Sequence, residues 1–338
     1  MTGIFRKETS WEEGGLWMFG TNRRACRKRA AGGRWQAAMA GLVFLVSGCE
    51  LEEVSLVQPQ SLLVAEIYVK VGHGPDEVSA FLQRTLGGPA DASLQDAQVR
   101  LDGPRGIGLT LTPGRRGLCL EEAILDDVDG VCLRAADLPD DLIQPGDYLE
   151  VEVSLPGGEE LRGGMTLPGD FSLLQPGVAG CALPSGTPLE MVWGPSGGAW
   201  AYAGETLIFG LRDALRPLGI QVEGDTLELV GLSVAETDTT LVFPGEFGIF
   251  DRFDLDRDLA LALQEGLPAG ASAEVAVAAL DRNYVNWVRG GNFNPSGAVR
   301  IPSLRGDGVG VLAGAVRRTV TVVGGDPENG LPPCLSMN

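Results

Sequence analysis

The sequence is poor in the side chains that most metal and catalytic sites use. Its 338 residues include a single histidine, His73, which follows a strand-like run and precedes a proline-led turn. No Cys-x-x-Cys pair, P-loop or His-Glu-x-x-His motif is present. Most zinc centres combine several Cys and His ligands. One histidine and the lack of a Cys-x-x-Cys pair do not favour such a centre. We therefore predict no metal centre, no cofactor and no catalytic residue.

Basic residues are also scarce. The chain has 26 Lys and Arg against 45 Asp and Glu, and eight of those basic residues lie in positions 1–48 together with three acidic ones. The rest of the chain therefore has 18 basic and 42 acidic residues, a formal charge of about −24. Such a surface repels nucleic acids and anionic lipid headgroups, so we predict no nucleic-acid partner.

The first 48 residues have the order of a secretory signal. A cluster of six Arg and Lys lies between Arg23 and Arg34, and the mostly apolar run Trp35–Val46 follows it. That run is too short to span a bilayer but suits the central part of a signal peptide. The alternative is a buried hydrophobic helix with an incidental cysteine after it. We predict a cleaved signal peptide over residues 1–48.

The end of this segment resembles a bacterial lipobox. Val46, Ser47 and Gly48 stand directly before Cys49. The resemblance implies that Cys49 becomes the lipidated first residue of the mature protein, and that residues 49–60 form a lipidated tether. It also implies a membrane partner through the anchor, because two or more acyl chains hold a protein stably. Glu50 follows, where an aspartate would signal inner-membrane retention in enteric bacteria, so the implied location is the outer membrane.

The cysteine count agrees with export. Cys26 lies in the predicted signal peptide and Cys49 is the predicted lipid acceptor, which leaves four cysteines. An even remainder in an oxidising compartment favours disulfide bonds, with three possible connectivities. Cys119 and Cys132 are close in sequence and are predicted to pair. Cys181 and Cys334 then pair by elimination.

Short segments of alternating apolar and polar residues predict an all-β fold. Residues 63–71, 97–102, 107–111 and 149–155 alternate, and Pro156-Gly157-Gly158 makes a turn before 161–167. Period-two segments between such turns are typical of antiparallel sheets with one packed face, and several at short spacing suggest a sandwich. Further strands are predicted beyond residue 188, together with minor short helices at 76–86 and 256–264.

A segment rich in Gly and Pro suggests two domains. Residues 168–188 show little periodicity, so we place a linker at 169–184. A β-sandwich domain is predicted over 61–168 and a second β-rich domain over 185–338. The turn before Tyr148 resembles the tyrosine corner of immunoglobulin-like sandwiches, although an ordinary surface turn explains it equally well.

Acidic clusters are the remaining candidates for metal chemistry. Asp126, Asp127 and Asp129 form one cluster, and a second contains Asp251, Asp254, Asp256 and Asp258. Neither matches the spacing of an EF-hand loop. In so acidic a chain, such clusters are expected as solvated loops.

The grouping of the few aromatic residues offers one candidate ligand surface. It consists of Tyr284, Trp287, Asn292 and Phe293, in a Gly-containing segment that mixes aromatic rings with asparagines. Rings and amides together could stack on and hydrogen-bond a sugar. The alternative is that these aromatics belong to the core of a β domain. An exposed flat row built from Trp193, Trp200, Tyr202 or Trp287 would favour sugar binding.

Taken together, the lipobox, the alternating strands with Pro145–Tyr148 and the glycine-rich end at Gly306–Gly314 resemble bacterial outer-membrane lipoproteins of immunoglobulin-like or carboxypeptidase-regulatory-like sandwich type. Some of these are encoded beside TonB-dependent nutrient receptors. The resemblance implies a lipid-anchored, non-enzymatic binding or accessory subunit of an outer-membrane complex. The alternatives are a secreted enzyme acting on glycans and a stand-alone carbohydrate-binding or adhesive lipoprotein.

Overall fold

The computed structural model describes most of the chain after residue 60. The predicted signal peptide, the tether and Cys49 lie outside the described residues, and all the described ones belong to one compact unit. They are residues 61–72, 76–85, 92–119, 129–135, 138–139, 142–222, 224–233, 237, 239–247, 257–289, 301–325 and 330–334.

The fold is mostly β, with a large sheet and a smaller one, as the alternating segments predict. The strands are β1 (Leu63–Gly72), β2 (Glu77–Arg84), β3 (Gln98–Asp102), β4 (Gly108–Thr110), β5 (Thr112–Gly114), β6 (Gly130–Ala135), β7 (Tyr148–Ser154), β8 (Glu160–Thr166), β9 (Leu173–Gln175), β10 (Gly180–Leu183), β11 (Leu189–Trp193), β12 (Ala201–Phe209), β13 (Thr226–Ser233), β14 (Thr240–Phe243), β15 (Ser272–Leu280), β16 (Leu304–Gly306) and β17 (Gly308–Gly324). The α-helices are α1 (Ala92–Gln95), α2 (Leu211–Leu215), α3 (Arg257–Glu265) and α4 (Arg282–Arg289).

The 17-residue strand β17 organises the large sheet. Its first part pairs in parallel with β1 on one side and antiparallel with β16 on the other. Its last part pairs with β10 on the first side and with β15 on the second. From β15 the sheet continues through β12 to β13. Strands from both predicted domains, 61–168 and 185–338, therefore meet at one strand.

The other strands extend from the first part of β17 in both directions. One direction runs through β1, β2 and β6 to β5, and the other through β16, β8, β7 and β3 to β4. Only Leu111 separates β4 from β5, and its N–H donates to the carbonyl of Val99 on β3. The continuous segment formed by β4 and β5 therefore pairs with β3 through β4 and with β6 through β5, and protects two edges that would otherwise be open.

Every second residue of several strands points into the main core. Leu63, Ala65 and Ile67 of β1 are fully buried, and they belong to one apolar cluster with the inward residues of β3, β7 and β8. Trp193 and Phe243 of the smaller sheet, whose order is β14-β11-β9, belong to the same cluster. The two sheets thus share a continuous core, which is the main source of the hydrophobic stabilisation.

Glycines permit the close approach of β16 and β17 to their neighbours. A Cβ on Gly308 or Gly310 would overlap the carbonyl oxygens of Leu63 and Ala65 on β1. Gly306 has a φ of +146° and stands where the chain turns from β16 into β17. The chain therefore turns sharply between Gly306 and Gly308, and the long strand β17 follows this turn.

One predicted helix is wrong. Residues 77–84 form the strand β2, between β1 and β6. Because this strand has residues buried on both faces, its apolar residues do not alternate, and Val78, Phe81 and Leu82 happen to fall at helical spacing. The helix predicted over 256–264 is confirmed as α3.

The tyrosine-corner interpretation of Tyr148 is also wrong. Its side chain is 54 % exposed, and its hydroxyl lies 3.4 Å from a carboxylate oxygen of Glu150, so it does not hydrogen-bond a buried backbone group. The turn is held instead by Arg105, whose guanidinium donates to both carboxylate oxygens of Asp147. The ordinary surface turn is the correct explanation, and the predicted strand over 148–155 is confirmed as β7.

Both predicted disulfide bonds form. Cys119 and Cys132 join the segment after β5 to β6, with Cα atoms 5.7 Å apart. Cys181 on β10 bonds Cys334, with Cα atoms 4.8 Å apart and a sequence separation of 153. The second bond holds residues 332–334 beside β10, where the Ala182 N–H donates to the Pro332 carbonyl. The described end of the chain thereby covers the outer edge of β10.

Candidate functional site

The segment predicted to form a ligand-binding loop begins instead with the helix α4. Asp281 caps this helix: its carboxylate accepts the backbone N–H groups of Asn283 and Tyr284 at 3.1 and 2.9 Å. It also accepts the N–H of Gly314 on β17 at 3.1 Å, which ties the helix start to the sheet. The Asn283 amide donates to the carbonyl of Leu312 at 3.0 Å. An aspartate at this position satisfies helix N–H groups that have no partner within the helix.

The helix packs on a part of the sheet that is lined with small residues. Ala201, Ala203, Ala278, Ala313 and Ala315 face it, and all are buried. Since alanine side chains project little, the large side chains of α4 reach close to the sheet and fill the space. Close packing of large side chains against small ones is typical of protein interiors.

The two described aromatics of the predicted ligand surface are therefore buried. Tyr284 is 4 % exposed and Trp287 6 %, and both belong to this second apolar cluster. Neither ring offers an open stacking face, which agrees with the alternative that they are core residues. Asn292 and Phe293 lie outside the described residues. Trp193 and Tyr202 are buried as well, so of the four rings considered for a flat row only Trp200 is exposed.

Three charged side chains, Glu66, Glu205 and Arg317, lie at the margin of this apolar cluster, on the same face of the sheet. The Tyr68 hydroxyl donates to Glu66 at 3.1 Å, and the rings of Tyr68 and Tyr284 meet edge to face at 5.7 Å. The Nη2 atom of the Arg317 guanidinium lies 3.6 Å from the Oε2 atom of the Glu205 carboxylate. Burial raises the pKa of the Tyr284 hydroxyl, and the charges of Glu205 and Glu66 raise it further, so the hydroxyl stays protonated.

Asp281 gives this helix cap a pH dependence. Burial raises the pKa of its carboxyl from 3.8 to about 6, against the opposing effect of the three backbone N–H donors. Because the folded-state pKa is the higher one, this group stabilises the fold fully below pH 3.8, and that contribution is lost as the pH rises through 6.

Asp281→Asn removes the charge and keeps an N-cap side chain. We expect the stability of the variant relative to wild type to rise by about 2.4 kcal/mol between pH 4 and pH 7, since one pKa unit corresponds to about 1.4 kcal/mol and the carboxyl is partly ionised in the unfolded chain at pH 4. Urea unfolding of both proteins across this range measures the difference. Asp102→Asn is the matched control: the hydrogen bond from Arg100 lowers the pKa of Asp102, so this variant should show no such rise. A stability difference between Asp281→Asn and wild type that does not change with pH would contradict the raised pKa of Asp281.

The other candidates from the sequence give no ligand cluster in the part that the structure describes. His73, Asp126, Asp127, Asp251, Asp254 and Asp256 lie outside the described residues. Asp129 lies 3.7 Å from Arg116, in a solvent-exposed ion pair. Among the described residues, no three His, Cys, Asp or Glu side chains, Asp258 included, are grouped as metal ligands would be.

The loop between β11 and β12 contains a hydrolase-like motif that was not predicted as a site. Residues 194–198 read Gly-Pro-Ser-Gly-Gly, which fits the Gly-x-Ser-x-Gly pattern of hydrolase nucleophiles. That pattern requires a strand, a sharp turn and then a helix, whereas this segment is a loop between β11 and β12. The Ser196 hydroxyl is buried and donates to the Gly169 carbonyl at 2.6 Å. The serine hydroxyl therefore stabilises the loop, and the segment lacks the strand, turn and helix that surround a nucleophilic serine.

Within the described ranges, no helix is both long enough and apolar enough to cross a membrane.

No protein-family model matches the chain, and its comparison with curated proteins gives no significant match.

Proposed function

We propose that this protein is a lipid-anchored cell-envelope protein that serves, without catalysis, as a binding or accessory subunit of an outer-membrane complex. The observation that carries the proposal is the pairing of the four cysteines after Cys49 in two disulfide bonds. Such bonds form and persist in exported proteins, and they are rare in the bacterial cytosol. The export signal that resembles a lipobox and the paired cysteines therefore support the same compartment from independent parts of the chain.

The net charge supports an acyl anchor over direct adsorption. At about −24 after residue 48, the protein is repelled by anionic headgroups. Acyl chains overcome this repulsion, because each buried methylene contributes about 0.8 kcal/mol. Attachment through Cys49 leaves the β-rich unit outside the lipid, where its surfaces are open to other envelope proteins.

The finer description of the fold, two immunoglobulin-like sandwiches, stays a prediction from the sequence. The pairing of strands from both segments with β17 instead favours a close association of the two halves. The glycan-active enzyme and the carbohydrate-binding lipoprotein stay alternative hypotheses. The burial of Trp193, Tyr202 and Trp287 does not favour the second of them.

Cell fractionation tests the proposal. The wild-type protein is expected in the outer-membrane fraction and to need detergent for release, because its acyl chains hold it there. Cys49→Ser should lose that distribution, whereas Cys26→Ser, in the predicted signal peptide, should behave like wild type. A Cys49→Ser protein that still fractionates with the outer membrane and still needs detergent would contradict the proposal.

A further inference from the structure

In the part of the chain that the structure describes, the face of the sheet that carries α4 is exposed beyond the helix. Leu207 and Phe209 of β12 point to the same side as Ala201 and Ala203 beneath α4, since alternate residues of a strand share a face. They are nevertheless 38 % and 37 % exposed. In the neighbouring strand, Val230 is partly buried on the same face. Apolar residues therefore continue along this face beyond the part that α4 covers.

Two carboxylates flank the open apolar residues. Leu207 is paired in register with Glu228 on β13 and with Glu274 on β15. Both glutamates are exposed, and among the described residues neither takes part in an ion pair. Neighbouring strands are about 4.8 Å apart, so the two glutamates lie roughly 10 Å apart across Leu207. We call Leu207, Phe209, Val230, Glu228 and Glu274 the acidic–apolar patch.

We propose that the acidic–apolar patch binds a basic amphipathic helix of a partner protein in the cell envelope. This inference rests on the proposed function and specifies the chemistry of the partner. Apolar side chains of such a helix would cover Leu207 and Phe209, and Lys or Arg seven residues apart, about 10.5 Å along the axis, would reach Glu228 and Glu274. The neighbouring part of the same face is already covered by a helix, α4, so the partner continues an existing layer.

Charge complementarity selects this partner over the other occupants. A second copy of the chain carries the same charge of about −24 and the same two glutamates, so it is repelled. An anionic membrane surface is repelled for the same reason. A basic segment is attracted, and the charge complementarity raises its association rate and its specificity.

Photo-crosslinking in the cells that make the protein tests the proposal on the full lipoprotein. p-Benzoylphenylalanine in place of Phe209 is expected to crosslink to a partner peptide that mass spectrometry identifies as basic and amphipathic at helical spacing. The same label in place of Tyr148, which is exposed on β7, is the positional control and should not capture that peptide. Glu228→Lys combined with Glu274→Lys should reduce the crosslink at least about tenfold, a loss of about 1.4 kcal/mol. Glu150→Lys combined with Glu152→Lys makes the same charge change on β7 and should leave it intact.

The proposal is overturned if Phe209 gives no crosslink, if it crosslinks only within the chain or to a second copy, or if the crosslink survives the reversal at Glu228 and Glu274. Melting curves of the purified variants control for folding, and a reversal that lowers Tm by more than about 3 °C is replaced by the Glu→Gln pair. Membrane fractions of the same cells report on anchoring separately. Failure of the crosslink is therefore distinguishable from failure of the proposed function.

Discussion

Trp287→Ala is expected to destabilise the protein by about 3–5 kcal/mol, since truncation of a buried tryptophan removes its contacts and leaves a cavity. Trp287 lies on α4, is 6 % exposed and packs on the alanine-lined part of the sheet. Urea unfolding followed by circular dichroism measures the loss. A core residue and a ligand-binding residue differ in this measurement, because an exposed binding tryptophan changes affinity and barely changes stability.

Trp200→Ala is the matched control, since it removes the same side chain from an exposed position. Trp200 is 40 % exposed, and the Arg282 guanidinium lies 5.1 Å from the centre of its ring. An exposed cation–π contact contributes about 0.5–1 kcal/mol, so the control should lose about that much. A Trp287→Ala protein that melts like wild type would contradict the burial of this residue and restore the 284–293 segment as a candidate ligand surface.

Loss of the disulfide bond between Cys181 and Cys334 is the second large effect. The bond closes a loop of 153 residues, for which the chain-entropy model gives about 5 kcal/mol. The bond between Cys119 and Cys132 closes 13 residues and gives about 3 kcal/mol. We therefore expect Cys181→Ala with Cys334→Ala to be less stable than Cys119→Ala with Cys132→Ala.

Chemical denaturation of the two double variants measures this order. Peptide mapping without reduction checks the pairing itself in the wild-type protein. The reverse order of stabilities would show that the long loop is constrained by other contacts. A crossed pattern of disulfides, or four free thiols, would contradict the structure outright.

Strands with one solvent-exposed face were predictable from the sequence. β3 and β7 alternate between buried and more exposed positions, and their predicted limits agree with the structure to within one or two residues. β2 was not predictable in this way, because it has buried residues on both faces. The first part of β17 was missed since its glycines, which β1 requires for close approach, are typical of a turn.

The candidate site was predicted less well than the fold. The residues of α4 mix aromatic rings with asparagines, and the glycines that follow favoured a loop over a helix. Asp281 was a usable signal: an aspartate directly before Arg282–Arg289 is a typical N-cap. The acidic–apolar patch had no signal, because Glu228 and Glu274 are 46 residues apart and only the pairing of both strands with β12 brings them to one surface.

The lipid anchor at Cys49 is the central claim, and the mass of the mature protein tests it most directly. Cells labelled with a palmitate analogue should yield a protein whose first residue is Cys49, with diacylglycerol or further acyl chains attached. Cys49→Ser should remain uncleaved and incorporate no label. A Cys49→Ser protein that still incorporates the label and matures to the same mass as wild type would contradict the account.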